Sequence, residues 1–69
     1  MNYRGIPYQA FPDDEPGDDG SLVWFIEYQQ SPTSGWGFRG QFLEKDGQFF
    51  FQDQVFDSAY SVLRYRVTH

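Results

Sequence analysis

The chain has 69 residues, 22% of them aromatic, and a formal net charge of −5. This length is near the lower limit at which a hydrophobic core offsets chain entropy, so it implies one small domain; rings that each bury roughly 150–250 Å² imply that the domain folds. The absence of cysteine excludes a disulfide framework and thiolate metal sites, no apolar run approaches the roughly 20 residues of a membrane span, and no basic start leads into an apolar stretch as a secretory signal would. A soluble, cytoplasmic protein is the expectation.

The charge is local. Asp13, Asp14, Glu15, Asp18 and Asp19 are five of the ten acidic residues, and the other five balance the five Lys and Arg. No basic stripe is present to displace counterions, so direct nucleic-acid binding is not expected.

In chain order, residues 2–11 read as an extended segment with rings at Tyr3, Tyr8 and Phe11. Pro7 makes it an edge strand or one broken near Gly5, because proline donates nothing to a ladder. Residues 12–21 hold two prolines, two glycines and the five acids with nothing apolar, which is flexible-loop chemistry. Residues 22–28 are a strand, β-branched and aromatic without a breaker. Leu22, Trp24, Ile26 and Tyr28 share one face of it; Val23, Phe25 and Glu27 share the other. A loop at 29–35 leads into the next element.

Residues 36–54 read as a β-hairpin around Asp46-Gly47, a pair that tolerates the positive φ a type I′ turn needs. That turn sets Lys45 opposite Gln48, Glu44 opposite Phe49 and Leu43 opposite Phe50, then Phe42 opposite Phe51 and Phe38 opposite Val55. One face then carries Trp36, Phe38, Gly40, Phe42, Phe49, Phe51 and Val55, read as core. The other carries Arg39, Gln41, Lys45, Gln48, Gln52 and Gln54, with Leu43 and Phe50 among them. From Asp57 or Ser58, either able to cap, a short helix follows with Ala59, Val62, Leu63 and Val67 on one stripe. The whole is an α+β fold: a small antiparallel sheet of three to four strands, a meander, with one C-terminal helix packed on its aromatic face.

The order of Tyr3-Arg4-Gly5, the aromatic strand at 24–28 and residues 56–65 is similar to that of the plant ethylene-response type of DNA-binding domain. The resemblance implies a three-stranded sheet with a C-terminal helix. It implies no DNA reading here, since the strand arginines of that family are largely missing.

No catalytic constellation is visible, and an enzyme is not expected. The lone histidine, His69, is terminal; Ser21, Ser31, Ser34, Ser58 and Ser61 lack a neighbouring base; Glu44 with Asp53 is the remaining carboxylate pair. The acidic run lacks calcium-loop spacing, with Pro16 interrupting it, and no metal or cofactor site is expected. The stronger signal is apolar residues on the outer sheet face. Val23, Phe25, Leu43 and Phe50, rimmed by Arg39, Gln41 and Gln52, form a patch of the kind that binds a protein partner, a second copy of the chain included. The alternative is that residues 2–11 fold over this patch and bury it. A second functional reading makes Asp13, Asp14, Glu15, Asp18 and Asp19 a mimic of nucleic-acid phosphates, inhibiting a DNA- or RNA-handling protein.

Overall fold

The computed structural model describes residues 1–69. Six strands form one antiparallel sheet in sequence order: β1 (Asn2–Tyr3), β2 (Ile6–Pro12), β3 (Leu22–Tyr28), β4 (Gly37–Lys45), β5 (Gln48–Phe51) and β6 (Gln54–Phe56). The helix α1 (Ala59–Thr68) closes the chain. The α+β class, the meander and the C-terminal helix are as the sequence implies, but the sheet has six strands, not three to four. Both additional strands come from tight turns with positive φ at two central residues: Arg4-Gly5 (53° and 81°) and Gln52-Asp53 (49° and 61°). The first folds β1 back on β2; the second ends β5 and starts β6. Six strands also depart from the three-stranded order of the DNA-binding domain that the sequence resembles.

The central hairpin forms as its turn dictates. Asp46 and Gly47 have φ of 54° and 79°, and Lys45↔Gln48, Glu44↔Phe49 and Leu43↔Phe50 are paired. On the other side of β4, β3 runs from Leu22↔Glu44 to Tyr28↔Gly37. Helix α1 touches β2 as well as β5 and β6, strands on both sides of the sheet, so the sheet curls round it.

The inner face of that curl is the core. Tyr8, Ile26, Phe42, Val62 and Leu63 are the only buried residues, and Trp24, Tyr28, Phe49, Phe51, Phe56, Ala59 and Val67 pack around them. The helical stripe therefore points where its spacing requires. Trp24 stacks on Phe42 at 5.6 Å, and Phe49 meets both rings edge-on. The Trp24 indole N–H donates to Glu44 Oε1 at 2.8 Å, which satisfies the one polar group a buried indole brings. Ser58 is the N-cap, accepting from the Ser61 N–H at 3.1 Å.

Three assignments of face differ from the sequence expectation. Between Ile26 and Glu27 the β3–β4 register shifts by one residue, so Glu27 lies opposite Phe38 and Arg39 is left as a bulge. A one-residue slip reverses every side chain beyond it. Phe38 accordingly leaves the core and is 64% exposed. Arg39 stacks over the Tyr28 ring at 5.3 Å and leaves the outer rim. The Gln52-Asp53 turn makes the second difference. Val55 pairs with Phe50, not Phe38, and stands on the outer face, while Gln52 lies in the turn and Gln54, opposite Phe51, donates to Tyr65 Oη on the helix. Trp36 is the third: it precedes β4 and is exposed.

Candidate functional site

The outer face is the side of the sheet opposite α1. Pairing alone builds a row of apolar residues straight across four strands: Val23↔Leu43, Leu43↔Phe50 and Phe50↔Val55. Directly opposed residues share a face, so the row is continuous. One pleat along, Phe25 lies opposite Phe11, their rings 5.9 Å apart, and opposite Gln41 on the other side. Phe38 extends the face beyond the bulge. Leu43 and Phe50 are 43% and 38% exposed and Val55 is 58% exposed. Large apolar side chains at that exposure, contiguous across strands, make an apolar patch, not scattered surface residues.

The N-terminal segment does not cover it. The Met1 amine donates to the Tyr8 carbonyl at 2.7 Å, and Met1, Tyr3 and Ile6 pack against the core cluster. Residues 2–11 thus extend the sheet sideways and supply Phe11 to the outer face. Of the expected site residues, the structure brings Val23, Phe25, Gln41, Leu43 and Phe50 together and takes Arg39 and Gln52 away. Phe11, Phe38 and Val55 are additions. Phe11 was legible from alternation alone, being out of phase with Tyr8 and Ala10; the other two follow from a bulge and a turn that carry no strong sequence signature.

The acidic loop lies beyond one end of this face, with all five of its acids exposed. It closes on itself through Gly17 N–H to the Ser21 carbonyl at 2.6 Å. Asp19 is exposed but partnered: it accepts from the Ser21 hydroxyl at 2.6 Å and the Ser21 N–H at 3.0 Å and lies 3.8 Å from Lys45 Nζ. The Ser21 hydroxyl, then its N–H, with help from Lys45, hold the Asp19 carboxyl below its ordinary pKa. Asp13, Asp14, Glu15 and Asp18 form no ion pair.

The catalytic candidates do not assemble. Glu44 is opposite Phe49 at one end of β5, and Asp53 lies in the turn at the other. Ser58 and Ser61 bond to each other at the helix cap. His69 stacks on Tyr65 at 4.3 Å with Nδ1 3.1 Å from the Tyr65 carbonyl. These two line an open groove of about 460 Å³ with Phe56, Ser61, Arg64 and Thr68, a feature the sequence does not announce. No three His, Asp or Glu side chains converge as metal ligands. No helix is long and apolar enough to cross a membrane. No protein-family model, no curated protein and no solved structure matches the chain.

Proposed function

We propose that this protein is a non-catalytic interaction module that binds a protein partner, a second copy of itself included, through the outer face of its sheet. The observation that carries the reading is the unbroken row Val23–Leu43–Phe50–Val55, with Phe25 and Phe11 beside it, left uncovered by a fold that spends its only helix on the other face. Folding does not require those residues to be apolar. Strand positions facing water are ordinarily polar, and a desolvated aromatic centre within a polar rim is how protein interfaces are built. Gln9, Gln41 and Gln48 supply that rim.

A photo-crosslinking amino acid at Phe50 tests this, with Tyr60 on the exposed side of the helix as the control position. Position 50 is expected to yield a defined adduct, with another protein or a second copy, that position 60 does not. Phe50→Asp is expected to abolish it, at least tenfold in affinity, because a carboxylate would be desolvated at the patch centre. Equal labelling from both positions, or binding unchanged in a folded Phe50→Asp protein, overturns the reading.

A further inference from the structure

The outer face is one uncovered surface; the sheet also has an uncovered edge, and it lies in the middle of the molecule. Strand β4 is nine residues long, and β3 follows it from Gly37 to Glu44. Its other side is paired only at Leu43, Glu44 and Lys45, because β5 ends at Phe51 and the Gln52-Asp53 turn leads the chain away. None of the backbone hydrogen bonds made outside the helix and strands reaches residues 37–41. Over these five residues the backbone N–H and C=O groups that point away from β3 have no protein partner. The gap is in line with β5, and at about 3.4 Å per residue it admits roughly five residues of extended chain.

The chemistry around the gap is basic. Arg39 is the bulged residue itself, held over the Tyr28 ring. Arg66, in the last turn of α1, lies against Gly40, where its Nε is 3.7 Å from the place a Cβ would occupy. Gly40 at φ 149° holds a backbone conformation that side chains disfavour. Neither arginine has a carboxylate partner; the single ion pair of the domain is Lys45–Asp19. Of the nearby acids, Glu27 is on the outer side opposite Phe38, where Gln9 donates to it, and Asp53 sits in the β5–β6 turn. Trp36 and Phe38 stand exposed at the mouth of the gap.

We propose that the free edge of β4 from Gly37 to Gln41 accepts an extended acidic segment of a partner protein as an added strand, its carboxylates meeting Arg39 and Arg66. Main-chain hydrogen bonds supply affinity in this mode of recognition and side chains on alternate residues supply selectivity. A bulge and a charge at an edge discourage pairing with a like edge. Two copies joined through β4 would set Arg39 and Arg66 of one against the same residues of the other, so the features that oppose self-pairing are those that select carboxylates. This inference rests on the backbone edge of β4 and the two arginines, not on the apolar row of the outer face.

The test is an amide-resolved NMR titration of the whole protein with the blocked peptide Thr-Glu-Val-Glu-Val-Thr, its lysine counterpart, and a glutamate version N-methylated at alternate residues. The glutamate peptide is expected to shift the amides of residues 37–41 and the Nε–H signals of Arg39 and Arg66. The lysine and N-methylated peptides, and the Arg39→Gln/Arg66→Gln protein with the glutamate peptide, are each expected to bind at least tenfold more weakly. Phe50→Asp is expected to leave this titration unchanged, which separates it from the outer-face reading. Absence of shifts, shifts centred on Leu43 and Phe50, or equal binding of the three peptides overturns the proposal.

Discussion

The two faces of this sheet are made by the same strands from alternate residues, and both carry large apolar side chains. Trp24, Ile26, Phe42 and Phe49 look inward; Val23, Phe25, Leu43 and Phe50 look outward. What separates them is the helix. With one amphipathic helix available, a chain of this length covers one face, and that face becomes the core. The difference teaches that apolar character alone did not decide which side is buried; the partner element did. It also marks the outer residues as surplus to the fold, since only five residues of the whole chain are buried and none of them is on that side.

The largest way to break this comparison is to truncate one ring on each face at adjacent positions of the same strand. Phe42→Ala removes a buried ring that stacks on Trp24 and is expected to cost about 3–5 kcal/mol, a large part of the roughly 5–15 kcal/mol by which natural domains are stable. Leu43→Ala removes a half-exposed side chain between Val23 and Phe50 and is expected to cost about 1 kcal/mol or less. Urea unfolding followed by tryptophan fluorescence reads both. If Leu43→Ala proves as damaging as Phe42→Ala, the outer face is covered in solution and the two faces are not different in kind.

Much of this was legible in the sequence, for identifiable reasons. The Asp46-Gly47 turn fixed the central register because few residue pairs adopt its backbone geometry. The strand at 22–28 and the helical stripe of Ala59, Val62, Leu63 and Val67 were clear because their periods differ. The bulge at Arg39 was not, because a register slip is decided by the match of two strands across the sheet and leaves no mark on either; Gly40 beside it was the only local sign. The turn at Gln52-Asp53 is hidden for a simpler reason: neither residue is glycine or asparagine, so the sequence reads on as one strand and puts Val55 on the inner face, whereas Val55 pairs with Phe50 on the outer one. Leu43 and Phe50 lie opposite each other as the sequence implies because they sit beside the Asp46-Gly47 turn, whereas Arg39 lies at the register slip and Gln52 in the second turn.

The Gln52-Asp53 turn offers a smaller and sharper test. Gln52 and Asp53 hold φ of 49° and 61°, a region that costs most side chains energy and that Asn and Gly enter readily. Replacing the pair with Asn-Gly is expected to stabilise the protein by about 0.5–1 kcal/mol, read as a higher urea midpoint at an unchanged slope. The gain would come from the element that sets Val55 beside Phe50. A loss of stability would mean the chain does not reverse there, and the outer row would end at Phe50.

The smallest expected effect is at the corner where the acidic loop meets the outer face. Asp19 reaches Lys45, which flanks Leu43 two residues along the same side of β4, and its carboxyl is held below the ordinary value by the Ser21 hydroxyl and N–H first, with Lys45 adding to them. A depressed folded pKa means that ionised Asp19 favours the folded state; that contribution is present above the unfolded pKa and is lost as pH falls through the folded one. Asp19→Asn is therefore expected to lower the urea midpoint slightly near neutral pH, with the difference from wild type vanishing in strong acid. The fully exposed position keeps the effect small. Partner binding through the apolar row is expected to be unchanged by this substitution and weakly sensitive to salt, because the row carries no charge. A steep salt dependence that disappears when Asp13, Asp14, Asp18 and Asp19 are neutralised would instead make the loop the binding element, as a mimic of nucleic-acid phosphates requires, and would reduce the outer face to its neighbour.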